Sequence, residues 1–503
     1  MPPMRRMFDS PHEEPVLRRR IALAALCLAQ FGVVLAYQGT TIILPQVERS
    51  LGLSISTAQW LVSANAIAYG GLLLPAGRAA DLFGRKRLFV AGSALFGAAS
   101  LAAGLAPTVG WLLAARMLQG TGTALFTPAT IALLADIFPD GPERRRALAF
   151  WGAAGPLGGV GAILLGSALA SALGWRASFL LGVPLTIFVV LLAQAVLPAT
   201  TACHGGHLDP LGACAGGIGV GAFVYGLSAV ANTAPFTARS LGWVAIGLVL
   251  LGVYLRVERR SASPLIPRSL RRRWDPWRSG AVAFFHGAST NTPIVFYALY
   301  MQRFRGATPW EIGLGFLPCN LAIIVAAPAA ARLVQRIGYR LVMAGGMATV
   351  IAGLLCLTTI SADGAYVATI LPGWILVGLG LGAAQLGTVR AATEEVTPAE
   401  RGAVGGLVTT AAQGGTAVSL ALLVTVFRRT GDEIAGYRAA FLGGGVLAML
   451  GLVIALYPPR RRPAPERHPE DGRADRPGRH GPPRRKRVSQ QEVFATRSGQ
   501  TAR

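Results

Sequence analysis

One short charged stretch is the best guide to the architecture: Gly77-Arg78-Ala79-Ala80-Asp81-Leu82-Phe83-Gly84-Arg85-Lys86-Arg87. It lies between two apolar segments, each close to the length of about 20 residues that a helix needs to cross a bilayer. Its two glycines, Gly77 and Gly84, favour bends in the backbone. We call these residues the first charged hinge. They predict a polytopic membrane protein that moves about a charged connection.

The composition excludes a soluble globular protein of this length. Of the 503 residues, 52% are hydrophobic and 14% are charged, which is typical of an integral membrane protein. We expect an all-α membrane protein with about fourteen transmembrane helices, because the chain contains that many sufficiently long apolar windows. These windows are residues 21–45, 58–76, 88–106, 110–135, 147–171, 176–197, 209–231, 240–256, 279–301, 311–331, 340–361, 366–389, 402–426 and 437–457.

The formal net charge is +24, but the position of the arginines matters more than their sum. Most of them lie on alternate loops, such as the N-terminal tail, the first charged hinge and the connection at 256–278. Positively charged loops of membrane proteins stay in the cytoplasm, so we expect both termini to be cytoplasmic. We expect no nucleic-acid partner. The excess of arginine over lysine indicates a bacterial genome rich in G and C, and hence a bacterial cytoplasmic membrane.

A second charged hinge repeats the first one 254 residues later, with Gly338 in the place of Gly84. It reads Ala331-Arg332-Leu333-Val334-Gln335-Arg336-Ile337-Gly338-Tyr339-Arg340, so alanine replaces the first glycine and Gln335 replaces Asp81. Many transporters consist of two related helix bundles. The repeat therefore predicts two six-helix bundles with two extra helices between them.

Five regions follow from this division. They are a cytoplasmic N-tail at 1–20, an N-terminal bundle at 21–197, two linking helices and a cytoplasmic loop at 198–278, a C-terminal bundle at 279–457, and a tail at 458–503. The tail is rich in arginine and proline, so we expect it to be disordered and attracted to anionic lipids.

These residues resemble the major facilitator superfamily, and specifically its fourteen-helix branch of drug:proton antiporters, over residues 20–457. The first charged hinge resembles the signature of that superfamily between its second and third helices. Further matches are Arg116-Met117-Leu118-Gln119-Gly120-Thr121-Gly122, the glycine-rich stretch 152–166, and Trp175-Arg176 with Phe179 and Pro184. The resemblance implies the major facilitator fold of two six-helix bundles and an alternating-access mechanism.

The resemblance also implies roles for particular residues. From the hinge itself we predict a gate formed by Gly77, Asp81, Gly84, Arg85 and Arg87, in which Asp81 bonds to nearby arginines or to a helix N-terminus. The resemblance implies an antiporter glycine motif at Gly155, Pro156, Gly158, Gly159 and Gly166, for which plain packing of small residues is the alternative. The match is partial, because Gly161-Ala162 stands where the family has a second Gly-Pro pair.

Arg116 is the most informative single residue for chemistry. An arginine inside a membrane helix costs about 2.5–3.5 kcal/mol by insertion scales, so it needs a partner or water. On the same helical face lies a polar stripe of Gln119, Thr123, Thr127 and Thr130. The resemblance implies that Arg116 takes part in proton coupling. Alternatively, it snorkels or ties helices together.

The first predicted helix departs from the resembled branch at Ala36, where the branch has a membrane aspartate that would carry the proton. His286 is the only histidine inside a predicted helix. Its unperturbed pKa near 6.5 makes it the substitute candidate. A structural, hydrogen-bonded histidine is the alternative.

We expect an exporter of amphipathic small molecules, drugs or antibiotics, that exchanges them for protons. Its cavity is predicted from polar or aromatic residues in otherwise apolar helices. Those residues are Gln38, Thr41, Asn65, Tyr69, Arg116, Gln119, His286, Asn291 and Tyr297. Two alternatives stay open: a facilitator or importer without proton coupling, motivated by Ala36, and a non-transporting sensor or scaffold that uses the basic tail.

Enzyme activity and cofactors are not expected, because the chain lacks a nucleophile elbow, a phosphate-binding loop and a paired-histidine motif. Cys203, His204 and His207 have ligand-like spacing, but a fourth ligand is missing and an ordinary polar loop is the alternative. We expect a monomer.

Overall fold

The computed structural model describes residues 14–138, 141–198, 218–219, 221–223, 225–226, 238–260, 274–361, 364–393 and 401–457. Regular structure in these residues is helical. The predicted tail at 458–503, the Cys203, His204 and His207 group, and most of the predicted helix at 209–231 lie outside the described residues. Residues up to Pro458 belong to one compact unit.

The first half contains eight helices and one π-helical turn in the described residues. They are α1 (Glu14–Leu51), α2 (Ile55–Phe83), α3 (Arg85–Gly104), α4 (Val109–Ile137), α5 (Pro142–Gly161), the π turn (Ala162–Gly166), α6 (Ser167–Leu173), α7 (Trp175–Leu180) and α8 (Gly182–Val196). The last two are separated by a single residue, Leu181, so α7 and α8 together match the predicted window at 176–197.

The second half and the segment before it follow in the same order as the predicted windows. The helices are α9 (Ala238–Arg260), α10 (Trp274–Arg305), α11 (Pro309–Ile337), α12 (Tyr339–Leu357), α13 (Tyr366–Thr369), α14 (Leu371–Thr393), α15 (Arg401–Arg429) and α16 (Glu433–Leu456). Helices α1, α2 and α10 extend beyond their apolar windows by three or more residues at each end, because helix propensity continues into the polar flanks.

Among the described residues, ten helical stretches are long and apolar enough to cross a membrane. This supports a multi-pass membrane protein. The helices α2, α9 and α10 are not among the ten, although the sequence predicts spans there. In α10 the polar run Ser289-Thr290-Asn291-Thr292 lowers the mean hydropathy, and three of these four side chains are buried against the protein. The predicted number of about fourteen spans stays a prediction.

The first charged hinge is a much tighter turn than the sequence suggested. Helix α2 continues through Gly77 to Phe83, and α3 starts at Arg85, so Gly84 is the only residue between them. The predicted bend at Gly77 is wrong, because the alanine, leucine and arginine residues around it favour helix. Gly84 has φ +97° and Gly338, between α11 and α12, has φ +82°. This backbone conformation favours glycine.

The two halves share more than these glycines. Lys86 donates to the carbonyl oxygens of Gln194 and Leu197 at the end of α8. Arg340, which lies 254 residues after Lys86, donates to the carbonyl oxygen of Tyr457 at the end of α16 at 2.5 Å. A cation at a helix C-terminus is stabilised by the helix dipole and by otherwise unpaired carbonyls. Equivalent cations therefore secure equivalent helix ends in the two halves.

A third repeated feature is a close approach of helices at glycine. A Cβ atom added at Gly92 on α3 would lie 2.8 Å from the carbonyl oxygen of Gly122 on α4. A Cβ atom added at Gly346 on α12 would lie 2.8 Å from the carbonyl oxygen of Gly380 on α14. Gly346 follows Gly92 by 254 residues. Small residues let helix backbones approach closely, which is the usual contact between membrane helices.

Candidate functional site

Arg116 on α4 is a fully buried arginine, with 1% of its surface exposed. Its Nε donates to the carbonyl oxygen of Leu61 on α2 at 2.8 Å, and its Nη1 donates to Oε1 of Gln119 at 2.7 Å. Its Nη2 is buried and has no hydrogen-bond partner among the described residues. A buried charge that lacks a counter-ion is unfavourable. The guanidinium is therefore a firmly held cation with one donor group still available.

A chain of hydrogen bonds holds Arg116 across three helices. Nε2 of Gln119 donates to Oγ of Ser100 on α3 at 2.8 Å, and Nδ2 of Asn65 on α2 donates to the carbonyl oxygen of Arg116 at 3.3 Å. The structure thus brings together three predicted site residues, Asn65, Arg116 and Gln119. The alternative in which Arg116 ties helices together describes part of what it does.

The predicted threonine stripe on α4 is engaged mainly with its own helix. Thr123 donates to the carbonyl oxygen of Gln119 at 2.9 Å, and Thr130 donates to that of Phe126 at 2.8 Å. Both side chains are buried. Bonding to the carbonyl four residues earlier satisfies a hydroxyl inside an apolar environment. These two threonines are therefore explained by packing, without a ligand.

The glycine-rich segment of α5 contacts both halves of the chain. A side chain at Gly158 would overlap the backbone of Phe31 on α1, and one at Gly159 would lie 2.6 Å from Oε1 of Gln38. In contrast, a Cβ atom added at Gly166 meets no atom within 4 Å. Pro156 lies inside α5, which continues to Gly161 and then widens into the π turn. Such turns inside helices are often found at functional sites.

Gln38 on α1 faces Asn320 on α11, which sequence analysis did not single out. Nε2 of Gln38 donates to Oδ1 of Asn320 at 3.4 Å, a long bond that joins the first and second halves. The remaining amide atoms, Oε1 of Gln38 and Nδ2 of Asn320, are buried without partners among the described residues. A lone amide in an apolar window is a detectable signal, and it was available at Asn320.

Helix α10 carries a second polar group, which packs against α15. Nδ2 of Asn291 donates to Oγ1 of Thr416 at 2.9 Å, and Thr292 bonds to Ser419. Nδ1 of His286 is buried and has no partner among the described residues. The alternative of a structural, hydrogen-bonded histidine stays open for its other ring nitrogen. His286 keeps one ring nitrogen available for a proton or a ligand.

The other predicted cavity residues are placed differently. Thr41 donates to the carbonyl oxygen of Tyr37 in its own helix at 3.3 Å. Tyr297 is 1% exposed, donates to the carbonyl oxygen of Ile312 at 3.1 Å and packs edge-on against Trp374. Tyr297 thus belongs to an aromatic core of the second half. Tyr69 lies on α2, one helical turn beyond Asn65, and is half-buried.

At the first charged hinge the partner of Arg85 is Asp136, at the end of α4. Nη1 of Arg85 lies 2.5 Å from Oδ1 of Asp136, and both side chains are about one-third exposed. Sequence analysis did not predict a role for Asp136. Arg87 is exposed. The side chain of Asp81 lies outside the described part of the chain, so its predicted bonds to arginines stay a prediction.

At the opposite ends of the helices, Arg303 on α10 joins two carboxylates. Its Nη2 lies 2.8 Å from Oε1 of Glu48 on α1, and its Nη1 lies 2.8 Å from Oε1 of Glu433 on α16. The neighbouring Arg49 donates to the carbonyl oxygen of Gln302 at 3.2 Å. Sequence analysis did not predict a role for Arg303. The structure shows that it connects the first and second halves.

The chain is similar to proteins named for antibiotic resistance and export. It is 34% identical to the puromycin resistance protein pur8 of Streptomyces alboniger, with 82% of each chain covered. It is also 34% identical to the cephamycin export protein CmcT of Amycolatopsis lactamdurans, with 87% of this chain and 91% of that protein covered.

The fold is shared with a crystal structure of a bacterial homologue of the human lysosomal transporter Spinster. The TM-score is 0.62 at 14% sequence identity, and 87% of this chain and 97% of that chain are covered. The family profile described as Major Facilitator Superfamily matches residues 26–209 and 279–497. These two ranges leave out the segment between the halves, where the sequence predicts additional helices. The chain belongs to the Major Facilitator Superfamily of membrane transporters.

Proposed function

We propose that this protein exports amphipathic small molecules, drugs or antibiotics, across the bacterial cytoplasmic membrane. The observation that carries the proposal is Arg116, a buried cation with a free donor in the interior of a transporter. The direction of transport is supported by the relatives, which are named for puromycin resistance and for cephamycin export.

The proposed architecture is two six-helix bundles with two additional helices between them and both termini in the cytoplasm. The boundaries are those predicted from sequence, with bundles at 21–197 and 279–457. The features repeated at a spacing of 254 residues, Gly84 with Gly338 and Lys86 with Arg340, support two related halves. We propose that these halves rock about the interior polar groups, as in alternating access. The protein acts as a monomer, and its basic tail lies near anionic lipids.

Proton exchange is the coupling mode that we propose. His286 takes up the proton, and the fixed charge of Arg116 couples that proton to the bound substrate by electrostatic interaction. The support for His286 is its buried Nδ1, which has no partner among the described residues. The polar groups proposed to contact substrate are Gln38, Asn65, Gln119 and Asn291, together with the newly found Asn320.

An uncoupled facilitator is the second candidate, and Ala36 favours it. The carbonyl oxygen of Ala36 accepts a bond from Thr40 at 2.7 Å, so this part of α1 is an ordinary helix with no titratable side chain. Without a carboxylate here, proton exchange depends on His286 alone. Transport that persists in a His286→Gln variant, with unchanged dependence on a pH gradient, contradicts the proposed proton site.

The export function is tested by comparing drug accumulation in cells with and without the protein. We expect lower intracellular accumulation, and a higher inhibitory concentration, for at least one class of amphipathic antibiotic. The comparison needs a panel that covers anionic, neutral and cationic compounds. Equal accumulation of every compound in both strains contradicts the proposal.

A further inference from the structure

We infer that the preferred substrates are anionic amphiphiles, whose acidic group binds at Arg116. The inference rests on the proposed export function and names the chemical class that the same site accepts. Two observations support it. The predicted membrane windows contain arginine but no interior carboxylate, and hydrogen bonds fix the position of Arg116.

The membrane interior of this chain contains arginine but no carboxylate. Within the fourteen predicted windows, the only acidic residues are Asp209 and Glu311, and each is the first residue of its window. Arg116 lies well inside its window, at 110–135. His286 adds either no charge or a positive charge, depending on its protonation. The side chains in the membrane interior are therefore neutral or positive, and negative charge there must come from a ligand.

The contacts of Arg116 do not neutralise it. Its partners are a backbone carbonyl of Leu61 and the neutral amide of Gln119. The ion pairs in the described residues lie at helix ends, as with Arg85 and Asp136 or Arg303 and Glu48. Coulomb interactions are much stronger in the low-dielectric interior than in water. A carboxylate or sulfonate that approaches Arg116 is strongly favoured, and a cation is repelled.

The geometry of the guanidinium suits an acidic group. Two of its nitrogens are held by Leu61 and Gln119, so Arg116 has lost most of its side-chain freedom before a ligand arrives. The free Nη2 can donate to an anionic oxygen, and hydrogen bonds between charged groups are about twice as strong as neutral ones. Pre-organisation of this kind lowers the entropy lost on binding.

The other unpaired interior groups are consistent with this class. Oε1 of Gln38, Nδ2 of Asn320 and Nδ1 of His286 are buried without partners among the described residues. Each can bond a neutral polar part of a ligand, and none supplies the negative charge that a cationic ligand requires. A substrate with one acidic group and neutral polar groups matches this set.

The experiment uses three fluorescent amphiphiles that share one aromatic scaffold and carry a carboxylate, an amide or a quaternary ammonium group. Their initial rates of uptake are measured in inside-out membrane vesicles that contain the full-length protein. We expect the carboxylate probe to be transported at least about tenfold faster than the ammonium probe, equivalent to about 1.4 kcal/mol.

Gln119→Glu is the informative variant, because it places a carboxylate of nearly the same shape beside Nη1 of Arg116. The new ion pair neutralises the cation and keeps the hydrogen bond from Nη1. The substitution removes the donor to Ser100, whose hydroxyl can instead donate to the new carboxylate. We expect the preference for the carboxylate probe to disappear. The control is Arg438→Gln, which removes a cation near the start of α16 that donates to the carbonyl oxygen of Ile360. We expect this variant to keep the preference.

Three outcomes separate the inference from the function on which it rests. Equal or faster transport of the ammonium probe overturns the anionic class and leaves export intact. Unchanged preference in a folded Gln119→Glu protein overturns the role of Arg116. If no probe enters vesicles faster with the protein than without it, the export function and the inference are both overturned.

Discussion

Single glycines decide how closely α1 and α5 can approach. Gly158 contacts the backbone of Phe31, whereas Gly166, in the same motif, has open space around its Cα. Both glycines lie in helical backbone, and the φ of Gly166 is −65°. The two positions therefore differ in packing and hardly at all in backbone conformation. This difference makes them a matched pair for mutagenesis.

We predict that Gly158→Ala destabilises the protein and reduces transport. The added methyl group overlaps the carbonyl of Phe31, which forces α5 away from α1, and such overpacking costs about 1–3 kcal/mol. The measurement is the thermal unfolding midpoint of the purified protein, together with transport in vesicles.

Gly166→Ala serves as the control for this prediction. Alanine is favoured over glycine in a helix by about 1 kcal/mol, so we expect an equal or higher unfolding midpoint and unchanged transport. Equal unfolding midpoints and equal transport rates for the two variants contradict the conclusion that Gly158 is needed for close packing of α5 against α1.

Local spacing predicts neighbours on one helix but not partners on distant helices. Arg116 and Gln119 are three residues apart, so their contact follows from the helical period. The pairs of Gln38 with Asn320 and of Arg303 with Glu48 join helices that are separated by more than 250 residues in the chain. No periodicity links such residues. The role of Arg303 was therefore missed, whereas Asn320 could have been found as a lone amide in an apolar window.

Helix boundaries in this chain are set by apolar length and by glycine. The order of the predicted windows is reproduced by helices α1 to α8 and α10 to α16, because long apolar segments in a membrane protein form helices. The turns were less predictable. Gly77 and Gly84 look alike in sequence, but only Gly84 has a positive φ, because the residues around Gly77 favour helix.

We predict that Gly84→Ala and Gly338→Ala each lower the free energy of unfolding by about 1–3 kcal/mol, the cost of placing an L-residue in a sparsely populated backbone region with positive φ and extended ψ. No atom lies within 4 Å of a Cβ added at Gly338, so strain rather than crowding is tested there. The measurement is the unfolding midpoint in detergent.

The control for the hinge glycines is Gly345→Ala. Gly345 lies inside α12 and also has open space around it, but its φ is not positive. We expect no loss of stability. If Gly345→Ala lowers the unfolding midpoint as much as Gly338→Ala does, replacing any glycine in this region is destabilising. That result contradicts a specific requirement for positive φ at Gly338.

At the scale of the whole molecule, Arg303 joins the two halves at one end of the helices through ion pairs with Glu48 and Glu433. We predict that Arg303→Gln increases opening at this end. Cys319 reports on it, because its side chain is fully buried on α11 beside Asn320. In a background without the other cysteines, labelling of Cys319 by an impermeant thiol reagent should become faster, up to about fivefold, since exposed ion pairs contribute about 0.2–1 kcal/mol.

Arg429→Gln is the matched control for this opening. Arg429 is an exposed arginine at the end of α15, so its removal changes the surface charge by the same amount as Arg303→Gln. We expect no change in the labelling rate of Cys319. Equal labelling rates of Cys319 in Arg303→Gln and Arg429→Gln contradict the prediction that the ion pairs of Arg303 keep this end of the protein closed.

If the substrate is an anion, the membrane potential contributes to driving its export. An inside-negative potential favours outward movement of an anion by about 2.3 kcal/mol per elementary charge per 100 mV. We predict that collapsing the potential with valinomycin and potassium lowers export, with or without proton exchange. Export that is insensitive to valinomycin contradicts anion transport. Nigericin, which collapses the pH gradient, then separates proton exchange from the uncoupled candidate.

Reconstitution of the purified full-length protein into liposomes isolates its own activity from that of the cell. The measurement is the initial rate of uptake of the carboxylate-bearing amphiphile under an imposed inside-positive potential, compared with protein-free liposomes. We predict saturable uptake that is at least several-fold faster with the wild-type chain and is reduced by Gln119→Glu. Uptake at the protein-free rate would contradict the conclusion that this chain is an exporter of anionic amphiphiles.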